Sequence, residues 1–226
     1  MNKPVFYLIP GLGADERVFQ RLQPLLLGES QVLPWLPPES ADEPLPHYAA
    51  RMAGAIPVDA TGWLVGVSFG GVVALEMQRL RPALRPVLIS SLPNAQSLPW
   101  LLRLVRASGL YRLVPPQWLK LFPRAGQLYF GVSNGAECRL FRHILLDMEP
   151  RYTRWAINSL LHWNSTGVAP AVQLLGTRDR VFPPGNRPID HRIRGGGHFM
   201  VLSHAEEIAG ILNGLELGRG IKGLSS

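Results

Sequence analysis

Cysteine occurs once in the 226 residues, at Cys138. A lone thiol excludes an internal disulfide framework. Its neighbours Asn134-Gly135-Ala136-Glu137 and Arg139 offer no metal-ligand spacing, so it reads as a reduced, structural side chain. Charge is scarce as well: Asp, Glu, Lys and Arg make up 17% of the chain, below the roughly one quarter of ordinary soluble domains. Part of the surface or a pocket wall is therefore expected to be apolar. No apolar stretch approaches the roughly 20 residues of a membrane span, so no stable membrane insertion is expected. The opening Met1 to Pro10 carries one lysine and no small-residue cleavage site. It reads as a core strand of a cytoplasmic protein. Acidic residues number 16 against 23 Lys plus Arg, a formal charge of +7, but the arginines are scattered without a basic stripe. Nucleic acid is not an expected partner; an anionic substrate such as a coenzyme A ester stays open. The six histidines form no His-Glu-x-x-His or clustered ligand set, so neither a metal nor another cofactor is expected.

What remains is 46% hydrophobic, enough for one substantial core. Val5 to Ile9, Trp63 to Val67, Pro86 to Ser90, Ala171 to Gly176 and Asp190 to Ile193 read as short buried strands, with Gln31 to Trp35 a weaker one. Helical spacing lies between them. Asp15 caps a turn leading to Val18, Phe19 and Leu22; Tyr48, Met52, Ala55 and Ile56 suggest a second helix, Phe69 to Gln78 a third, and Glu206 to Leu217 a closing one. Pro34, Pro37, Pro38, Pro44 and Pro46 mark a loop. Strands alternating with helices predict an α/β fold of about six mostly parallel strands with helices on both faces.

Residues 94–166 break this rhythm. They are helical, rich in Leu, Arg and Trp, and lack a strand pattern, so they read as a helical cap inserted into a core formed by 1–93 and 167–226. Leu101, Leu102, Leu104 and Val105 alternate with Arg103 and Arg106 as on an amphipathic helix; packing of cap against core is its expected role.

Gly66-Val67-Ser68-Phe69-Gly70 matches G-x-S-x-G between a strand and a helix. A serine on such a tight turn adopts a strained backbone, and side chains two residues before or after it would collide with the neighbouring strand and helix. The turn lifts the hydroxyl above the sheet edge. It also aims the Phe69 amide at a developing oxyanion.

With the Ile9-Pro10-Gly11-Leu12-Gly13 turn and the acid and histidine below, this elbow resembles the α/β-hydrolase superfamily over nearly the whole chain except the cap. The resemblance implies a second oxyanion donor after the first strand, at Leu12, with Gly13 a substitute. It also implies that Gly176-Thr177-Arg178-Asp179-Arg180-Val181-Phe182-Pro183 is the G-x-x-D-x-x-x-P acid loop, with Asp179 as the acid.

A serine hydroxyl needs a base and a carboxylate to fix that base's tautomer. Gly195-Gly196-Gly197 lets His198 reach over the elbow unobstructed, making it the strongest base candidate; His204 begins a helix, and His162 of the cap is a candidate substrate contact. The expected function is a serine hydrolase that cleaves a carboxylic ester or thioester with an apolar acyl part through an acyl-serine. Trp155 and Phe199 are pocket candidates, and Trp100, Trp118, Trp163 and Phe69 are further aromatics for such a wall. The alternative is a non-hydrolytic protein of the same fold, a lyase or ligand receptor. Oligomeric state is not legible.

Overall fold

Alternation inside each apolar run builds the core, because neighbouring residues of a strand face opposite sides of a sheet. In the computed structural model, which describes residues 5–113, 123–132, 135–165 and 171–216, six strands form one parallel sheet. They are β1 (Val5–Ile9), β2 (Glu29–Val32), β3 (Gly62–Val67), β4 (Leu84–Ile89), β5 (Val172–Gly176) and β6 (His191–Ile193), in spatial order β2-β1-β3-β4-β5-β6. Tyr7, Ile9, Leu64 and Leu88 enter one apolar cluster, and Phe6, Leu8, Val65, Val87 and Ile89 enter the other. Trp118 and the 166/167 boundary lie outside the described residues.

Eight α-helices occur among the described residues. The first cluster takes in α1 (Leu45–Ala53) and α2 (Phe69–Leu80); the second takes in α7 (Met200–Ser203) and α8 (Ala205–Glu216). Between β4 and β5 run α3 (Trp100–Ser108), α4 (Pro123–Phe130), α5 (Gly135–Asp147) and α6 (Pro150–His162). Trp163 anchors this stretch: its Nε1 donates at 2.7 Å to Glu76 Oε1 of α2, and both residues are buried.

Several local elements differ from expectation. The weak second strand sits earlier, at Glu29–Val32, where burial alternates along an edge strand, and Pro34 cannot extend the ladder because it lacks an N–H. Trp35 instead donates to Gly11 O at 3.1 Å. The helix expected after Asp15 is two 3₁₀ turns, Glu16–Phe19 and Gln23–Leu25, the first capped by Asp15 as expected. Helix α1 ends at Ala53, so Ala55 and Ile56 lie beyond it. Amphipathic α3 contains no fully buried residue; Leu102 packs against the core, while Trp100, Leu101 and Leu104 face solvent.

The chain passes from β1 outward to β2 and then back across β1 to β3. That reversal separates the loops at the carboxyl ends of β1 and β3 and opens a crevice between them, where open α/β sheets bind ligands.

Candidate active site

Ser68 occupies this crevice, immediately after β3. Its backbone has φ 53° and ψ −119°, a left-handed conformation that a serine adopts only under surrounding constraint. The constraint is visible. Ser68 N donates to Ile89 O at 2.9 Å, while its carbonyl accepts from Gly71 N at 3.0 Å and Ser91 Oγ at 2.6 Å. A Cβ at Gly66 would overlap the backbone of Gly70 and Gly71, and one at Gly70 would overlap the carbonyl oxygens of Ile9 and Pro10. The two glycines of the motif are thus steric requirements of the turn.

Asp179 lies in the loop after β5, 3% exposed. Its Oδ1 accepts from the amides of Val181 at 2.9 Å and Phe182 at 2.8 Å, which fixes the carboxylate plane. His198 follows β6 and is likewise 3% exposed. Its Nδ1 lies 2.9 Å from Asp179 Oδ2, and its Nε2 lies 2.9 Å from Ser68 Oγ. Three positions distant in sequence meet in one unbroken hydrogen-bond chain.

Phe130 and Phe182 pack edge-on against the imidazole, with ring centroids 5.4 and 5.2 Å away. The end of α4 presses on the histidine loop: Phe199 N donates to Phe130 O at 3.2 Å, and a Cβ at Gly197 would lie 3.0 Å from Gly131 Cα. Arg180 Nη1 donates to Leu128 O at 3.0 Å, so the acid loop holds the same helix end. Tyr129 is also close; burial, and then the Asp179 charge, raise its pKa. Burial lowers the pKa of Arg187, opposed by the charge of Asp179, and its Nε and Nη2 are buried without hydrogen-bond partners among the described residues.

Phe69 opens α2, so its N–H has no intrahelical carbonyl. Leu12 N–H makes no hydrogen bond among the described residues. Its neighbour Gly11 lies against the elbow: a Cβ there would be 3.6 Å from Ser68 Cβ. Gly13 is left-handed at φ 69° and is closed over by Met148.

The two pocket candidates are held by ring contacts with their neighbours. Trp155 is 1% exposed, stacked with Tyr48 at 4.2 Å and behind Phe69 at 6.0 Å, and its Nε1 donates to Glu43 O. Buried among these partners, it packs α6 against α1 and α2. Phe199 packs edge-on against Phe141 of α5. His162 Nδ1 contacts Asn158 O, and His204 caps α7. The contacts of Ser91, Phe130 and Phe182 had no signal in the sequence, because each depends on a crossing of distant segments.

Among the described residues, Glu39, Glu43 and His47 form one group with cation-ligand spacing. Arg51 already pairs with both carboxylates, at 3.1 and 2.9 Å, and answers their charge.

A family profile described as the alpha/beta hydrolase family matches residues 6–211. No curated protein matches the sequence. Among solved structures, MenH from S. aureus superposes with TM-score 0.74 at 16% identity, covering 97% of this chain and 95% of that one. A putative lipase from Acinetobacter baumannii AYE gives 0.73 at 16% identity over 96% and 84%. A thermophilic esterase from Thermogutta terrifontis gives 0.70 at 16% identity over 97% and 91%.

Proposed function

Because the chain belongs to the alpha/beta hydrolase family, we propose that it is a serine hydrolase that cleaves a carboxylic ester or thioester through an acyl-serine intermediate. The observation that carries this reading is the relay from Asp179 Oδ2 through His198 to Ser68 Oγ, 2.9 Å at each link. His198 Nε2 takes the Ser68 proton as Oγ attacks the carbonyl carbon. The amides of Phe69 and Leu12 stabilise the oxyanion. The imidazolium, steadied by Asp179, donates its proton to the leaving oxygen or sulfur. Water, deprotonated by the same imidazole, then releases the acid and regenerates Ser68.

On this reading residues 94–166 act as a cap over the core, and the acyl part is apolar in keeping with the low charge content. A small-molecule ester or thioester is the partner. Incubation with a fluorophosphonate, followed by intact and peptide mass, tests the proposal: one adduct on Ser68, absent in Ser68→Ala, is expected. No adduct would favour a lyase or ligand receptor. Acyl-oxygen and acyl-thio esters of graded chain length separate the two substrate types.

A further inference from the structure

Ser91 carries a hydroxyl that the proposed reaction leaves unused. The residue is fully buried, two positions beyond the end of β4, and its Oγ donates at 2.6 Å to the carbonyl oxygen of Ser68. That carbonyl belongs to the peptide joining Ser68 to Phe69. The peptide is planar and trans, so its C=O and N–H point in opposite directions from one rigid plate. A donor that grips the oxygen therefore also sets where the Phe69 N–H aims. That N–H is the proposed oxyanion donor, and it lies in the first turn of α2, where no helical carbonyl holds it.

Several local features serve this one bond. Ser68 and Ser90 are the two non-glycine residues with positive φ among the described residues, at 53° and 48°. Ser90 is fully buried, its N–H donates to Leu174 O at 3.0 Å, and its left-handed turn leads the chain from β4 into the Ser91 contact. Such a conformation costs energy and persists only where its surroundings impose it. Gly71, which lies outside the G-x-S-x-G motif, supplies the space: a Cβ there would sit 2.4 Å from Ser91 Oγ and 2.6 Å from Ser91 Cβ. Gln173, a buried polar residue in the otherwise apolar β5, donates from Nε2 to Ser91 O at 3.0 Å. Both sides of Ser68 are thus tied to one short stretch, its N–H to Ile89 O at 2.9 Å and its C=O to Ser91 Oγ. Gly71 N also reaches that carbonyl, at 3.0 Å, but from α2 itself. Ser91 braces it from outside the helix.

We propose that Ser91 is a positioning residue that tunes the oxyanion site through the Ser68–Phe69 peptide. It touches neither the substrate nor the reacting oxygen. Its O–H fixes the plane of the peptide. By polarising the carbonyl it also makes the N–H at the opposite edge a stronger donor, as happens along chained hydrogen bonds. That gain counts most when negative charge grows on the substrate oxygen, so it favours the transition state over the bound ester. This role rests on the hydrolytic reading of the same site.

Ser91→Ala tests it, because the change removes a single oxygen from a packed position. On a p-nitrophenyl ester kcat falls about tenfold with KM nearly unchanged, short of the roughly 10²–10³-fold that follows outright loss of an oxyanion donor. The deciding readout is the oxyanion itself. A trifluoromethyl ketone labelled with carbon-13 at its carbonyl adds to Ser68 as a hemiketal, whose ionisation is followed by NMR against pH. In Ser91→Ala that ionisation moves upward by about one pH unit, the same tenfold, and the inhibition constant of the ketone rises by a like factor. Ser91→Cys, a near-isostere whose S–H is a weak donor, falls between the parent and the alanine variant. A purely structural role would lower Tm and leave the hemiketal ionising where it does in the parent.

An unchanged hemiketal ionisation in folded Ser91→Ala would overturn the proposal, as would a loss that appears in KM alone. Failure of the hydrolytic reading looks different: the parent protein itself would form neither hemiketal nor fluorophosphonate adduct, and the role of Ser91 would fall with it.

Discussion

Replacing Asp179 by asparagine probes the hydrogen-bond chain where it is most constrained. Oδ1 sits beneath the Val181 and Phe182 amides, while Oδ2 faces His198 Nδ1. An asparagine must keep its carbonyl oxygen under those amides, because the reversed orientation sets N–H donors against N–H donors. Its NH₂ group then takes the Oδ2 position and donates to Nδ1. The imidazole proton is forced onto Nε2, the nitrogen 2.9 Å from Ser68 Oγ, and a protonated Nε2 cannot accept the serine proton. The side chain is nearly isosteric, so packing changes little. Loss of the general base in this way lowers kcat on a p-nitrophenyl ester by about 10⁴, or on the order of 5 kcal/mol of transition-state stabilisation. KM and the circular dichroism spectrum should stay close to the parent. Nitrogen-15 NMR of the labelled imidazole should place the proton on Nε2 in the variant. Activity within tenfold of the parent, or a proton retained on Nδ1, would refute the reasoning.

Three further outcomes follow from the packing. Gly70→Ala forces a methyl group against the Ile9 and Pro10 carbonyls; a loss of about 2–3 kcal/mol, or roughly 5–10 °C in Tm, is expected, and an unchanged Tm would contradict the close approach. Trp163→Phe removes the 2.7 Å donor to Glu76 and leaves a carboxylate 4% exposed with Arg79 at 3.6 Å. It should cost about 2 kcal/mol in urea unfolding, and adding Glu76→Leu should recover much of that; a neutral single variant would show the bond contributes nothing. At Glu43, burial opposes the charge most strongly, yet hydrogen bonds from the Glu39 amide, Arg51 and His47 prevail and hold its pKa below the ordinary glutamate value. A carboxyl with a folded pKa below its unfolded one stabilises the fold above the unfolded pKa, and that contribution fades as pH falls through the folded value. The stability advantage over Glu43→Gln at pH 7 should therefore shrink below about pH 4. A difference undiminished at pH 3 would be inconsistent.

Strands β1, β3, β4 and β5 were legible because each carries a short apolar run close to glycine or proline, and the elbow because its glycines answer to nearby backbone atoms. Edge strand β2 was harder to register: its burial alternates and no continuous apolar run marks it. Periodicity showed that Leu101 to Arg106 form an amphipathic helix, but period alone does not say which side meets the core, and the exposed arc of α3 came only with coordinates. Trp155 illustrates the same limit. An aromatic on an amphipathic helix looks alike in sequence whether it borders a cleft or fills the space behind Phe69. The phenylalanines flanking His198 come from residues 130 and 182, a meeting that only the tertiary crossing creates.

The junction of Phe130 and Gly131 with Gly197 and Phe199 has a practical consequence for chimeras. A graft that swaps the segment joining β4 to β5 for another scaffold's would discard the carbonyl that receives Phe199 N–H, together with one of the two rings that grip the imidazole. Donor segments chosen for length alone would thus misplace the base before any new substrate arrived. Retaining residues 130–132 in the recipient keeps that footing intact.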